Sequence, residues 1–160
     1  MPTSAMAASA RPLKPGLPEL RLSVQYPAGK DGAPTRPQVR RWVRAACNKP
    51  AEVTVRFVAA EEGRSLNREY RKKDYATNVL SFPYESGMRL SGDLVLCQPV
   101  VESEARDQGK SLEAHFAHLI VHGMLHLLGY DHETGAADAE RMEAVERDIL
   151  NILGYPDPYV

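Results

Sequence analysis

Residues 118–132 read HLIVHGMLHLLGYDH, and their spacing decides both the helix they form and the chemistry they can support. His122 and His126 are four residues apart, so on a helix their rings project from one face on successive turns. Gly129 suits the left-handed residue that ends a helix, and the turn allows His132 to swing back toward the same point. Three neutral imidazoles suit zinc and leave the fourth tetrahedral position to water, as in catalytic sites. The spacing therefore predicts one Zn²⁺ per chain.

The same histidine pattern matches H-E-x-x-H-x-x-G-x-x-H, the zinc signature of metzincin peptidases, with one substitution. Gly123 stands where those peptidases carry the glutamate that acts as general base, which argues against ordinary peptide hydrolysis. One turn before the predicted ligands, His118 is expected to be buried or to support them. His115 is expected at the surface.

Length and composition predict an ordinary globular domain with a short tail. The 160 residues are 43% apolar and 26% charged, which is typical of a single compact domain. The prolines and small residues of segment 1–18 predict a disordered tail before a single domain at 19–160. No apolar stretch is long enough to span a membrane and no secretory signal is visible, so we expect a cytoplasmic protein without a membrane partner.

Hydrophobic periodicity predicts strands first interleaved with helices and then followed by helices alone. Strands are expected at residues 20–26, 53–57, 78–82 and 92–97, with Pro83 ending the third. Helices are expected after a Thr35 cap, at 61–72, at 100–108 and from a Ser111 cap to about Leu128. A last helix is expected to bury Met142, Val145, Ile149 and Ile152. This order predicts an α+β fold: a small mixed sheet of about four strands packed with about five helices.

The charge is unevenly distributed, although its sum is −1. Residues 36–73 carry eleven Lys and Arg against four Asp and Glu, whereas residues 100–160 carry four against twelve. Such a basic segment can bind phosphates or can be a solvated face, and charge alone does not separate these alternatives. Six of its arginines face outward on two predicted helices, namely Arg40, Arg41 and Arg44 on the first and Arg64, Arg68 and Arg71 on the second.

The run HGMLHLLGYDH at 122–132 resembles the signature of the YbeY family of ribosomal-RNA maturation endoribonucleases. Residues 66–83, LNREYRKKDYATNVLSFP, resemble a second motif of that family, and GDLVL at 92–96 fits a third. The resemblance covers roughly residues 20–155. It implies a zincin-like metal-binding helix and a zinc-dependent, single-strand-specific endoribonuclease that acts in 16S rRNA 3′-end maturation and ribosome quality control.

By position, the resemblance implies that His122, His126 and His132 hold the zinc and that Arg71 is the essential arginine. A planar guanidinium can grip two phosphate oxygens, which fits that role. The other five arginines named above would then hold flanking RNA backbone. Single-stranded rRNA, the ribosome or its small subunit, and assembly factors are the implied partners. Two alternatives stay open: a ribosome-assembly factor with a mainly structural zinc, and a zinc hydrolase of another substrate such as a peptide.

Overall fold

The computed structural model describes residues 18–84 and 89–160. The expected tail at 1–18 therefore lies, except for Pro18, outside the described residues. Within these residues, four strands and five helices follow one another. They are β1 (Leu20–Gln25), α1 (Arg36–Ala46), β2 (Ala51–Val58), α2 (Ala60–Arg71), β3 (Val79–Tyr84), β4 (Leu90–Cys97), α3 (Gln98–Gln108), α4 (Leu112–Leu127) and α5 (Ala136–Leu153).

The strands form one mixed sheet in the order β1-β2-β4-β3. β2 pairs in parallel with β1 and with β4, and β3 pairs antiparallel with β4 at one edge. The α+β prediction of about four strands and five helices is thus confirmed. The zincin-like character of α4 stays a prediction. None of the helices in the described part of the chain is long and apolar enough to cross a membrane.

Alternating side chains of β4 divide the apolar core between the two faces of the sheet. Leu94 and Leu96 join the larger cluster, which also includes buried residues of α1, α4 and α5. Val95 and Cys97 join a smaller cluster on the other face, and Gly63 of α2 packs against the Cys97 side chain there. The sheet therefore separates α2 from α4, and the two helices can approach each other only around an edge.

The prediction that Pro83 ends the third strand is wrong, because β3 continues through it to Tyr84. Antiparallel pairs alternate between hydrogen-bonded and non-hydrogen-bonded positions, and the Cys97 N–H donates to the Asn78 carbonyl oxygen. Counting from that pair, Pro83 falls opposite Gly92 at a non-hydrogen-bonded position. A proline on an edge strand loses no ladder bond there.

The buried face of α5 also differs from the predicted one. Met142 is buried as expected, but Ile152 is 81% exposed, and Leu150 and Leu153 are buried instead. Glu146 lies between Met142 and Leu150 on this face and is fully buried. The helix is rotated so that this carboxylate, rather than an apolar side chain, faces α4.

Candidate metal centre and active site

Helix α4 has defined ends that set the positions of its histidines. The Ser111 hydroxyl accepts the Ala114 N–H at 3.1 Å, so the predicted N-cap is confirmed. After Leu127 the chain passes through Gly129, whose φ is +105°. The Tyr130 N–H then donates to the Leu125 carbonyl oxygen at 2.9 Å, which closes a Schellman turn. This turn reverses the chain and returns the following residues toward α4.

The turn brings the three predicted ligands together. The ring centroids of His122 and His126 are 4.7 Å apart, and that of His132 lies 5.1 and 5.0 Å from them. One nitrogen from each ring lies within 4.8 Å of the others, so the cluster could hold a metal ion. His132 is the most exposed of the three and leaves the cluster open to solvent on its side.

Hydrogen bonds fix the rings that α4 contributes. The His122 Nδ1–H donates to the Glu146 carboxylate, and the His126 Nδ1–H donates to the Tyr130 carbonyl oxygen at 3.0 Å. With Nδ1 engaged in both rings, Nε2 is the nitrogen left for a ligand role. Partners of this kind orient metal-binding histidines and raise their basicity. The donor set therefore fits a metal ion.

Burial lowers the pKa of His126, and the neighbouring His122 and His132 rings lower it further. A lowered pKa keeps the imidazole neutral near pH 7, which is the form that can bind a metal.

Glu146 is the functional residue that the sequence analysis missed. Its carboxylate also accepts a hydrogen bond from His118 Nε2 at 3.3 Å and one from the Tyr159 hydroxyl. Burial alone would raise the pKa of this carboxyl, but the hydrogen bonds from His118, His122 and Tyr159 outweigh burial and lower the pKa to about 2. The carboxylate is therefore ionised near pH 7, and it lies directly behind a predicted metal ligand.

A sequence signal for Glu146 did exist. It lies four residues after Met142 and four before Leu150, within the stripe that faces the core. A carboxylate at such a position is almost never fully buried without a partner, and the histidine segment is one concentration of potential partners in the sequence.

The two remaining histidines have different outcomes. His118 is largely buried and contacts Glu146, as expected for a supporting residue. The prediction that His115 lies at the surface is wrong: it is buried, with Nε2 2.9 Å from Glu104 Oε1. Since α4 packs against α3 as well as the sheet, both sides of its first turns are covered.

The packing of α4 on the sheet explains Gly123. A Cβ at this position would lie 2.8 Å from Leu94 Cδ2 and 3.3 Å from Ser81 Oγ. The Ser81 hydroxyl also donates to the Gly123 carbonyl oxygen at 3.2 Å. Gly123 therefore lets α4 approach β3 and β4 closely, and the position that carries the catalytic glutamate in metzincins points into the sheet here.

The histidines open onto a cleft of about 820 Å³ along the β3 edge of the sheet. Residues 77–83 form its floor, and Tyr70 and Arg71 from the end of α2 form the opposite wall. Arg71 is exposed, and its guanidinium lies 3.7 Å from Glu133 Oε2 across the cleft. The structure thus brings the predicted arginine and the predicted metal ligands into one cleft, from opposite faces of the sheet.

The other predicted arginines are not all near this cleft. Arg64 donates two hydrogen bonds to Asp74 at 2.8 and 3.0 Å, and Arg68 lies 3.7 Å from the same carboxylate. These two share helix α2 with Arg71. The three on α1 donate to main-chain carbonyl oxygens elsewhere: Arg40 to Leu20, Arg41 to Leu153 and Arg44 to Pro18.

Fold and site together define an α+β protein whose histidine cluster could hold a metal ion at the edge of an open cleft. A family model described as Endoribonuclease YbeY matches residues 33–154. The chain belongs to the YbeY family of endoribonucleases, as its resemblance to the family motifs predicts.

Related proteins agree over nearly the whole length of the chain. Endoribonuclease YbeY of Methylibium petroleiphilum is 56% identical over 147 residues, which cover 91% of this chain and 98% of that protein. Endoribonuclease YbeY of Aromatoleum aromaticum is 59% identical over 143 residues, covering 88% and 92%. A solution structure of a Thermotoga maritima protein is similar with a TM-score of 0.56 and 25% identity, covering 81% of this chain and 87% of that one.

Proposed function

We propose that the chain is a zinc-dependent, single-strand-specific endoribonuclease. In this proposal His122, His126 and His132 hold one Zn²⁺, and Arg71 binds the phosphate that is cleaved. The observation that carries it is the convergence of three histidine nitrogens within 4.8 Å of one another in a cleft that also contains Arg71. Three histidines with solvent access are the ligand set of a catalytic zinc site.

Zinc, when bound, would supply a water of lowered pKa and a positive charge near the scissile phosphate. The buried Glu146 carboxylate holds the His122 ring in one tautomer and orientation, with Nε2 directed to the ligand position. The Tyr130 carbonyl oxygen does the same for His126. The chain thereby keeps two ligands fixed before an ion arrives.

Arg71 would bind the phosphate from the opposite wall of the cleft. Its guanidinium can donate two parallel hydrogen bonds to phosphate oxygens, and its charge stabilises the negative charge that develops during cleavage. The ion pair with Glu133 is long and solvent-exposed, so it opposes phosphate binding only weakly.

The biological part of the proposal rests on family membership. We infer action on the 3′ end of 16S rRNA and in ribosome quality control, in the cytoplasm, with the small ribosomal subunit and assembly factors as partners. Cleavage of a precursor fragment that contains the mature 3′ end of 16S rRNA tests this part. The same sequence annealed to its complement should be cut at least tenfold more slowly, and equal rates would contradict single-strand specificity.

Metal dependence is tested by elemental analysis of tag-free protein together with single-turnover cleavage before and after chelation. We expect about one zinc per chain, loss of cleavage on chelation and recovery when zinc returns. His126→Ala, purified identically, controls for contaminating nuclease and should bind no zinc while keeping its cooperative thermal transition. Cleavage that survives both chelation and His126→Ala would overturn the proposal. A His126→Ala protein that no longer folds would favour the alternative of a mainly structural zinc.

A further inference from the structure

Three aromatic rings continue the α2 wall of the cleft onto the open surface of the molecule. They belong to Tyr70 at the end of α2 and to Phe82 and Tyr84 on β3, and we call them the aromatic surface. Tyr70 is 60% exposed and Tyr84 is 55% exposed. Both Tyr70 and Phe82 line the cleft that contains the histidines.

The rings are held in place by their neighbours. Phe82 and Tyr84 are two residues apart on a strand, so they project from the same face of the sheet. Tyr70 packs edge-on against Phe82, with ring centroids 5.1 Å apart at an interplanar angle of 70°. The Tyr84 hydroxyl donates to Asp93 Oδ2 at 2.7 Å, which limits rotation of that ring. Rings fixed in this way lose little conformational entropy when a ligand covers them.

Positive charge borders the aromatic surface. Arg71 follows Tyr70 directly, and Lys72 and Lys73 follow in turn, all three exposed. Lys72 adopts the left-handed conformation, with φ of +61°, and ends helix α2 there. Exposed aromatic rings next to exposed cations are the combination with which proteins bind single-stranded nucleic acid, because bases stack on the rings while the cations follow the phosphates.

We propose that Tyr70, Phe82 and Tyr84 form a stacking platform for unpaired bases of the RNA strand whose scissile phosphate lies between Arg71 and the histidines. This inference rests on the proposed function and adds to it a physical basis for single-strand preference, since the faces of bases inside a duplex are already covered by neighbouring bases. The surface is continuous with the cleft, and its tyrosine hydroxyl groups keep it partly hydrated. Both features favour a strand that passes through the cleft over a protein partner.

Affinity for a fluorescein-labelled, single-stranded RNA 12-mer, measured by polarisation at several salt concentrations, tests the platform. Tyr70→Leu keeps apolar bulk but removes the π-face, and we expect affinity to fall about fivefold or more. Tyr70→Phe should bind like the unmodified chain. Lys73→Ala should instead reduce the slope of log affinity against log salt by about one, whereas Tyr70→Leu should leave that slope unchanged. Polarisation is read immediately after mixing, and gel analysis of the same samples checks that the RNA has not yet been cleaved.

Tyr75→Leu is the matched control, because Tyr75 is 56% exposed but does not line the cleft. It should leave affinity unchanged. Tyr84→Leu provides a second test, and thermal unfolding of each variant reports any change in folding. Phe82 is not substituted because it also packs against the smaller apolar cluster.

Abasic RNA of the same length separates stacking from other effects. Removing the bases should weaken binding to the unmodified chain and should abolish the difference between it and Tyr70→Leu. Unchanged affinity of both Tyr70→Leu and Tyr84→Leu, or an equal loss on abasic RNA, would overturn the platform alone and would favour a protein-docking role. Absence of single-strand binding by the unmodified chain would overturn the proposed function as well.

Discussion

The two edges of the sheet are treated differently by the chain. At the β1 edge, Arg36 and Arg40 donate to the carbonyl oxygens of Val24 and Leu20 at 3.2 and 3.3 Å. Main-chain carbonyls alternate in direction along a strand, and that of Glu19 accepts a hydrogen bond from the Ala51 N–H at the start of β2. The carbonyls of Leu20 and Val24 therefore point away from the sheet. At the β3 edge no further strand pairs with β3 among the described residues, and the cleft lies there. One edge is closed by arginines and the other is open to a ligand.

The contrast between the two edges shows that arginine content alone does not identify a phosphate-binding surface. Helix α1 carries four arginines and α2 carries three, and from the sequence both helices were expected to hold RNA. On α1 the guanidinium groups of Arg40, Arg41 and Arg44 already donate to carbonyl oxygens of the fold. On α2, Arg71 faces the cleft and pairs only at 3.7 Å with an exposed glutamate. The two helices therefore differ in whether their guanidinium groups are already bound to the fold or remain available to a phosphate.

The largest effect is expected at the open edge. Arg71→Ala should reduce single-turnover cleavage about 100-fold or more, because the lost group stabilises charge that develops at the phosphate. Zinc content and thermal stability should stay unchanged, since the side chain is exposed and makes one long ion pair. Rapid-quench cleavage of a labelled single-stranded RNA measures the rate.

Arg68→Ala is the matched control for Arg71, as it removes an exposed arginine three residues earlier on α2. Arg71→Lys keeps the charge without the planar fork and should recover only part of the rate. If Arg71→Ala cleaves RNA as fast as the unmodified chain, Arg71 has no role in the mechanism. The arginines at both edges of the sheet would then contribute only to the structure.

The next effect concerns the histidine wall of the open edge. Glu146→Gln removes the charge that holds His122 while nearly preserving volume, and we expect zinc affinity to fall about 10- to 100-fold. Competition with a chromogenic chelator measures it. Cleavage at saturating zinc should fall much less than affinity, because Glu146 acts through His122.

Tyr159→Phe supplies the milder companion variant, as it removes one of the hydrogen bonds to Glu146 and leaves the carboxylate in place. It should weaken zinc binding less than Glu146→Gln does. Unaltered zinc affinity in both variants would show that the buried carboxylate serves only the packing of α5 on α4.

The fold and the histidine cluster were predictable because they follow from local patterns. Alternation of apolar and polar residues predicted the strands, and capping residues predicted the ends of α4. The spacing of His122 and His126 predicted that their rings lie on one helical face. The turn at Gly129 needed only the preference of glycine for positive φ. Each of these depends on residues within a few positions of one another.

The remainder depended on contacts between distant elements. Glu146 is 24 residues from His122 and reaches it only because α5 packs on α4 with one particular rotation. That same rotation exposes Ile152, which the apolar pattern alone would bury. Arginines of α1 donate to carbonyl oxygens of β1, of α5 and of Pro18, which no local pattern reveals. Periodicity predicts which faces are apolar, but not which polar group a tertiary contact will satisfy.

A smaller effect is expected on the closed side of the molecule. Arg41 donates to the carbonyl oxygen of Leu153 at 2.8 Å, at the end of α5, where helix carbonyls have no intrahelical partner. Arg41→Ala should lower the free energy of unfolding by about 1–2 kcal/mol, or Tm by about 3–6 °C. RNA cleavage should stay the same. A variant with unchanged Tm but weaker RNA binding would place α1 in the RNA interface. Both edges of the sheet would then bind RNA.

The smallest effect concerns Arg64 and Arg68. They are less available to a phosphate than Arg71, because the Asp74 carboxylate partly neutralises their charge. The pKa of Asp74 is lowered by the hydrogen bonds from Arg64. The pair therefore favours folding above the ordinary aspartate pKa, and this contribution is lost as the pH falls through the lower pKa of the folded state. Both partners are exposed, so Asp74→Asn should change Tm at pH 7 by about 1 °C or less.

Asp74→Asn also releases two guanidinium groups next to the cleft. RNA affinity at low salt should rise about two- to fivefold, with a steeper salt dependence, because freed arginines displace counterions from phosphates. At high salt the variant and the unmodified chain should converge. The same substitution in an Arg64→Ala, Arg68→Ala background should have no effect. A gain that persists in that background would mean that Asp74 repels RNA directly, whereas no gain in either background would mean that the strand leaves the cleft away from α2.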